Sequence, residues 1–236
     1  MSEQLIRNSI LLISDKSIFN PKGVKNYEHL TKEYSAYLDS LLLSNWIEIF
    51  SELENTFNLW TILESSDEEY IPKYLFPESF NIAYYDCDDF TNSVSKIVFN
   101  SIAQSSNFMI LYCNSIGISK NDIIKAFNLL QSDESSVTIG NSKQNQIVFV
   151  CTSKVDSKLV DPLISKKRQF DEYMKTLTER DVFIQTLDKF LSINEFQDIK
   201  KLYIELSKKE SLAYCSPKMH ERFNDLFIEY KDLLNV

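Results

Sequence analysis

The sequence predicts an α/β fold, a three-layer α/β/α sandwich around a mostly parallel sheet, with additional helices at the C-terminus. Two observations lead to this prediction. Short, continuously apolar runs such as SILLIS (9–14) and FMILY (108–112) are typical of strands buried on both faces. Between these runs lie longer segments whose apolar residues recur at helical spacing. Strands that alternate with helices favour a parallel sheet with helices on both faces.

The length and composition allow a substantial core. The chain has 236 residues, of which 44% are hydrophobic, and this is sufficient for one large α/β domain. We expect an α/β domain over residues 1–165 and a helical C-terminal part, residues 166–236, packed on the same domain.

The first half of the chain gives three strands and two helices in order. Strand 9–14 is followed by the loop DKSIFNPKGVKN and by an amphipathic helix over 27–53. FNLWTIL (57–63) and FNIAYY (80–85) are the next strands. The acidic segment between them contains two prolines and is predicted to be a loop. A helix over 90–104 follows, with apolar residues on one side.

The second half begins with the same alternation and ends in helices. Strand 108–112 precedes a helix over 120–131, and VTIG (137–140) and QIVFVCT (146–152) are two further strands joined by a polar turn. After residue 165 the pattern predicts helices alone. They span 168–190, 195–209 and 217–234. The last begins with Ser216 as a cap and Pro217 in the first turn.

Charge and motif content exclude several function classes. The formal net charge of −9 argues against nucleic acid or an anionic membrane surface as the main partner, since both require clustered Lys and Arg. No segment approaches eighteen apolar residues and the N-terminus lacks a signal-peptide cleavage pattern, so we expect a cytoplasmic protein without a membrane span. The four cysteines form no CxxC pair, and neither GxGxxG nor GxxxxGK[ST] is present.

The strongest metal-binding motif is the sequence Asp86-Cys87-Asp88-Asp89 after strand 80–85. Alternate carboxylates such as Asp86 and Asp88 can converge on Mg²⁺ or Mn²⁺, which prefer oxygen ligands. The alternative is structural. Acidic residues favour the positive N-terminus of the helix that starts near Phe90, and Asp89 would be its cap.

The loop after the first strand is the candidate phosphate site. Ser14 ends the strand, and Lys16, Lys22 and Lys25 follow, around Pro21 and Gly23. Nucleotide phosphates bind at this place in many open α/β sheets, but an ordinary solvated loop with three lysines explains the same residues.

The catalytic residues remain unidentified from the sequence. His29 and His220 are the only histidines, and neither lies near a nucleophile motif such as GxSxG.

Two segments resemble a bacterial family of glycosyltransferase-A-like (GT-A-like) proteins related to nucleotide-diphospho-sugar transferases. LLISDKSIFNPKGVKNYEHL is similar to the family's K-x-P-x-x-G-x-V-K-T-R-L loop and retains Lys16, Gly23, Val24 and Lys25. MILYCNSIGISKNDIIKAFNLL is similar to the family's G-x-D-C-P strand end and the helix after it, with Ala126-Phe127 as the anchor. The resemblance extends from residue 9 to about residue 200. It implies a GT-A-like fold, a nucleotide or nucleotide sugar as ligand and, if the protein is active, Mg²⁺ or Mn²⁺.

The resemblance also implies that acidic positions of the family have become neutral. The aspartate of G-x-D-C-P falls on Asn114, and that of G-P-A-x-D-G-G falls on Gln144, with Asn145 and Gln146 at the glycines. Side chains at these glycine positions should obstruct substrate. In the segment similar to D-[IV]-D-T-x-x-D-L, Ser192 and Asn194 replace the first two acids while Asp198 remains. An amide lacks the charge that offsets the dehydration of Mg²⁺, so metal affinity should fall.

Three functional hypotheses follow. The first is a catalytically degenerate relative of nucleotide-diphospho-sugar transferases, a pseudoenzyme that acts as a binding or scaffold protein, with Ser14, Lys16, Lys22, Lys25, Asn114 and Gln144 as nucleotide-binding candidates. The second is an active, metal-dependent glycosyl- or nucleotidyltransferase that uses Asp86 and Asp88. The third is an interaction module whose C-terminal helices bind an unspecified protein partner or a second copy of the chain.

Overall fold

A computed structural model describes residues 8–103, 105–130, 136–153, 157–164 and 168–234. The strands are β1 (Asn8–Ile13), β2 (Phe57–Glu64), β3 (Asn81–Tyr85), β4 (Phe108–Tyr112), β5 (Ser115–Ile116), β6 (Ser136–Ser142), β7 (Ile147–Thr152) and β8 (Phe183–Ser192). The α-helices are α1 (Lys32–Ser51), α2 (Phe90–Ile102), α3 (Lys120–Asn128), α4 (Ser157–Ile164), α5 (Phe170–Thr178), α6 (Phe196–Leu206), α7 (Pro217–Glu229) and α8 (Lys231–Leu234). Short 3-10 helices lie at Ser65–Tyr70, Cys87–Asp89 and Lys209–Ala213.

The strands form one mixed, mostly parallel sheet in the order β3-β2-β1-β4-β7-β6-β8-β5. The pairs β1–β2, β2–β3, β1–β4 and β6–β8 are parallel. β7 runs antiparallel to both β4 and β6, and β5 runs antiparallel to β8. Because β7 is antiparallel to both β4 and β6, β6 runs parallel to β4, and so does β8, which is parallel to β6. β8 therefore runs in the same direction as β1 and β4. The carboxyl ends of β1, β4 and β8 therefore lie at the same edge of the sheet.

Helices cover both faces of the sheet, which confirms the predicted three layers. Alternate residues of β1 point to opposite faces. Ile10 and Leu12 pack in a buried cluster with Trp46 of α1 and Ile123 of α3. Leu11 and Ile13 pack on the other face, in a cluster that also contains Val94 of α2 and residues of α4 and α5. Burial on both faces explains why β1 is apolar without alternation.

The C-terminal helices pack against α1 at one end of the sheet. Met219 and Phe223 of α7 are fully buried with Leu38 and Leu41 of α1, and Leu202 of α6 joins the same cluster. Ser216 caps α7 by accepting a hydrogen bond from Met219 N at 3.2 Å, with Pro217 in the first turn as predicted. No helix in the described part of the chain is long and apolar enough to cross a membrane.

The prediction of helices alone after residue 165 is wrong. The helix expected over 168–190 ends at Thr178, and Phe183–Ser192 is strand β8. The strand forms because it pairs with β6 from Ser136↔Phe183 to Ser142↔Phe190, a contact between segments that are distant in sequence. Local apolar spacing could not reveal this pairing.

Other predicted elements differ mainly at their ends. The helix expected over 27–53 begins at Lys32, where Thr31 accepts the capping hydrogen bond of Tyr34 N, and the helix expected over 217–234 is divided into α7 and α8. The short strand β5 and helix α4 were not predicted. The predicted helix ends at 104 and 131, and the predicted domain boundary at 165–166, lie outside the described residues.

Candidate functional site

The loops that follow β1, β4 and β8 enclose a cleft of about 310 Å³ at the carboxyl edge of the sheet. Its lining residues are Asp15, Lys16, Lys25, Asn114, Arg168, Ile193 and Asn194. Ligands of open α/β sheets commonly bind at this edge. The structure thus brings together three residues chosen from the sequence, Lys16, Lys25 and Asn114.

Asn114 is the second residue after β4 and is 6% exposed. Its Nδ2 donates to Asn194 Oδ1 at 2.8 Å and lies 3.4 Å from the carbonyl oxygen of Ile193. Its Oδ1 faces Arg168 Nη1 at 3.5 Å. Both ends of the Asn114 amide are therefore held by neighbours in the cleft.

The chain of amides continues beyond Asn114. Asn194 Nδ2 donates to Gln146 Oε1 at 2.7 Å, while Asn145 turns away and donates to Asp171 of α5 at 2.8 Å. Asn145 has a φ of 58°, which asparagine adopts more readily than most residues with a side chain. Two positions where the resemblance implied metal-side acids, Asn114 and Asn194, are hydrogen-bonded directly to each other.

Asp198, the acid of the family segment that this chain retains, accepts hydrogen bonds at the start of α6. Its Oδ2 accepts hydrogen bonds from the backbone N–H groups of Asn194 at 3.0 Å and Glu195 at 3.2 Å. Its Oδ1 accepts from Gln144 Nε2 at 3.0 Å and from Lys201 Nζ at 2.8 Å. Burial by itself raises the pKa of Asp198, but these hydrogen bonds outweigh it and hold the pKa below its ordinary value of 3.8. Gln144 is therefore hydrogen-bonded to Asp198 and does not line the cleft.

Lys16 is held by two groups from the following loop and helix. Its Nζ lies 2.7 Å from Asp39 Oδ1 of α1, and the Tyr27 hydroxyl donates to the same oxygen at 2.8 Å. Asp39 is 2% exposed. Burial raises the pKa of Asp39 despite the opposing effect of Lys16, and burial followed by the charge of Asp39 raises the pKa of Tyr27. Ser14 donates to the carbonyl oxygen of Lys16 at 2.7 Å and supports the same turn.

Arg168 and Asp15 are the site residues that sequence reasoning missed. Arg168 Nη2 lies 2.8 Å from Asp15 Oδ2, and the guanidinium carbon lies 3.7 Å from the centroid of the Tyr112 ring. Asp15 could have been noticed because it directly follows the predicted strand 9–14. Arg168 had no such signal, since it lies between two helices outside any motif and reaches the cleft only through the tertiary structure.

Asp67, after β2, fixes the first part of the β1–α1 loop. Its buried carboxylate accepts hydrogen bonds from Ser17 Oγ at 2.6 Å and from the backbone N–H groups of Ile18, Phe19 and Asn20 at 2.8–2.9 Å. Consecutive backbone N–H groups of this kind often bind an anion. Here the protein's own carboxylate accepts their hydrogen bonds.

The remaining sequence candidates lie outside the cleft. Lys22 is exposed, and its backbone N–H bonds to Asn20 Oδ1 at 3.0 Å. Asp86 and Asp88 follow β3, three strands from β4 and so roughly 14 Å away at about 4.8 Å per strand. Asp86 accepts from the backbone N–H of Asp88 at 3.0 Å, and Asp89 accepts from Asn92 Nδ2 at 2.7 Å.

The cleft residues do not fit a divalent cation. Among the described residues, 8–103, 105–130, 136–153, 157–164 and 168–234, no group of three His, Cys, Asp or Glu could hold a metal ion. The carboxylate of the cleft, Asp15, is paired with Arg168, and the same guanidinium faces Asn114 Oδ1. A second cation among these oxygens would be repelled by the guanidinium.

Solved structures share this architecture. A protein from Desulfovibrio desulfuricans G20 assigned as a nucleotide-diphospho-sugar transferase matches with a TM-score of 0.73 and 13% identity over 97% of this chain and 96% of that one. A 4-diphosphocytidyl-2C-methyl-D-erythritol synthase from Anaerococcus prevotii matches with a TM-score of 0.55 and 12% identity over 86% and 97% of the two chains. A cytidylyltransferase from Leptospira borgpetersenii matches with a TM-score of 0.52 and 13% identity over 96% of this chain and 94% of that one.

This chain has the nucleotide-diphospho-sugar transferase fold. The resemblance noted in the sequence is confirmed at the level of the fold. No protein-family model matches the chain, and no curated protein matches it in sequence. Within the nucleotide-diphospho-sugar transferase fold, the cleft of this chain combines two interacting asparagines with a buried arginine.

Proposed function

We propose that this protein binds a nucleotide or nucleotide sugar in the cleft and does not carry out metal-dependent transfer. The fold supports the ligand class, because several proteins that share it are assigned as nucleotidyl- or nucleotide-sugar transferases. The proposal keeps the cytoplasmic location predicted from the sequence. As a scaffold, the protein would bind a protein partner while the nucleotide occupies the cleft.

One observation supports the absence of metal-dependent transfer above the others. Asn114 and Asn194, which follow β4 and β8 respectively, hydrogen-bond to each other at 2.8 Å. Two carboxylates at this distance would repel each other and attract a cation between them. Two amides instead hydrogen-bond to each other. They carry no negative charge that could offset the dehydration of Mg²⁺ or Mn²⁺.

Calorimetric titration tests the proposal. UDP-, GDP- and CMP-sugars are each titrated into the full chain, once with EDTA and once with Mn²⁺. We expect at least one to bind with the same affinity in both buffers. Binding that appears only with Mn²⁺ would contradict the proposal, and so would turnover of a sugar nucleotide that EDTA abolishes.

The metal-dependent alternative, with Asp86 and Asp88 as ligands, has a separate test. An Asp88→Ala variant should lose nucleotide binding in Mn²⁺ if these residues hold the ion. We expect no change, because Asp86 accepts a hydrogen bond from the backbone of Asp88 and both lie at the carboxyl end of a different strand. A matched Asp161→Ala variant on α4 controls for the loss of one acidic side chain.

A further inference from the structure

We infer that Arg168, together with Lys16 and Lys25, forms a permanent cationic site that binds the diphosphate group of the ligand without a divalent cation. This inference rests on the proposed function, since it names the group that the cleft recognises. It assigns a role to Arg168 that the sequence motifs do not indicate.

The position of Arg168 is unusual for an arginine that only stabilises the fold. Its side chain is 4% exposed, yet it lines the cleft. The Tyr112 ring lies 3.7 Å below the guanidinium and Asp15 binds Nη2, so the orientation of the group is fixed from two sides. A guanidinium has five N–H donors in a rigid plane; Nη1 faces Asn114 Oδ1 at 3.5 Å and Nη2 donates to Asp15 Oδ2 at 2.8 Å.

The backbone of Arg168 is also strained. Its φ of 38° lies in the left-handed region, which residues with a side chain adopt rarely and at some energetic cost. The carbonyl of Arg168 accepts a hydrogen bond from Ile147 N at 2.9 Å, at the start of β7. The sheet therefore holds the residue in a conformation that directs its guanidinium toward the carboxyl edge of β4.

The charge of the cleft favours an anion. Its lining contains three cations, Lys16, Lys25 and Arg168, against one carboxylate, Asp15. Asp39 lies behind Lys16 and offsets one more charge, which leaves an excess of one positive charge in a chain whose formal net charge is −9. A local positive potential inside an acidic protein attracts anionic ligands to this cleft in particular.

The arrangement suits two linked phosphates better than a single carboxylate. The Arg168 guanidinium lies beside Tyr112 and Asn114, while Lys25 Nζ lies 3.0 Å from the carbonyl oxygen of Asn194, and both cations line the cleft. A planar guanidinium binds a phosphate in a bidentate manner, and a lysine adds a point charge for the second phosphate. A divalent cation performs the same neutralisation in many phosphate sites. Here covalently attached cations supply it, so chelation should not remove it.

The test uses inorganic pyrophosphate as a probe that contains no base or sugar. Pyrophosphate is titrated calorimetrically into the full chain in EDTA, and the affinity is compared among the wild type, Arg168→Lys, Arg168→Gln and Lys25→Gln. We expect the wild type to bind in EDTA, Arg168→Lys to weaken binding by about tenfold and Arg168→Gln by up to about a hundredfold. Lys96→Gln, an exposed lysine on α2, should bind as the wild type does. Lys25 is exposed, so Lys25→Gln tests the site even if the Arg168 variants do not fold.

The outcomes separate this inference from the proposed function. If pyrophosphate binds in EDTA and the sugar nucleotides do not, the diphosphate site stands and the proposed ligand is wrong. If the nucleotides bind in EDTA with equal affinity to Arg168→Lys, Lys25→Gln and the wild type, the proposed function stands and this inference is overturned. Pyrophosphate binding that requires Mn²⁺ would also overturn it.

Discussion

Asn114 donates a side-chain hydrogen bond to Asn194 across 2.8 Å and thereby joins the loops that follow β4 and β8. The two residues are eighty positions apart in sequence. Their contact depends on the parallel direction of β4 and β8, which brings both carboxyl ends to one edge. The same edge carries Lys16 after β1, so one arrangement of strands brings the whole cleft together.

Replacing both asparagines by aspartate should create a metal site. In Asn114→Asp with Asn194→Asp, two carboxylates repel each other at close range, and a divalent cation between them relieves the repulsion. We expect Mn²⁺ to bind at least about tenfold more tightly than to the wild type, as measured by calorimetry. Asn100→Asp with Asn128→Asp, at exposed positions of α2 and α3, adds the same charge elsewhere and should not change Mn²⁺ binding. Equal Mn²⁺ affinity of the wild type and the cleft variant would contradict our interpretation of the amides.

Removal of the Asp67 carboxylate should destabilise the protein strongly. Asp67→Ala leaves Ser17 and three buried or partly buried backbone N–H groups without their acceptor. We expect the free energy of unfolding in urea to fall by about 3 kcal/mol or more, since each hydrogen bond to a charged group contributes roughly 1.5–3 kcal/mol. Glu69→Ala, an exposed acid in the same 3-10 helix, should change it by less than about 0.5 kcal/mol. A loss as small as that of Glu69→Ala would show that water replaces the carboxylate without cost.

Lys16 should be required for stability, because it neutralises Asp39. Lys16→Met leaves a carboxylate that is 2% exposed without its cation, and breaking such a buried pair costs about 3–5 kcal/mol. Lys16→Met with Asp39→Asn removes the buried charge as well and should recover a large part of that loss. Urea unfolding of the two single variants and the double variant measures the coupling. Additive losses would mean that the pair contributes little as a pair.

Acidification should remove the stabilisation that Asp198 provides. Its pKa in the folded protein lies below the ordinary value of 3.8, so the unfolded chain binds the proton more readily. The contribution is therefore fully present above that ordinary value and is lost as the pH falls through the folded pKa. We expect Asp198→Asn to be less stable than the wild type by about 2 kcal/mol near neutral pH, with a difference that shrinks as the pH falls below 3.8. Thermal unfolding followed by circular dichroism over this range measures the difference, and a difference independent of pH would contradict the prediction.

The sequence predicted the central fold accurately where local signals and tertiary structure agree. β4 was expected at 108–112 and is observed at Phe108–Tyr112, because five consecutive apolar residues can be satisfied only inside a sheet covered on both faces. α3 begins at Lys120, the predicted start, after Ser119 forms a capping box with Asp122. Where the signal depended on a distant partner, as in β8, the prediction was wrong.

The sequence alone determined that β1 and β4 are strands buried on both faces, and that the amide Asn114 follows β4. Such properties depend on local apolar runs and on residue identity. Only the tertiary structure decided that Asn114 meets Asn194, that Asp39 lies behind Lys16, and that Arg168 enters the cleft beside Asp15. These contacts join residues far apart in the chain. They form because parallel strands bring their carboxyl ends to one edge, and no local pattern encodes that convergence.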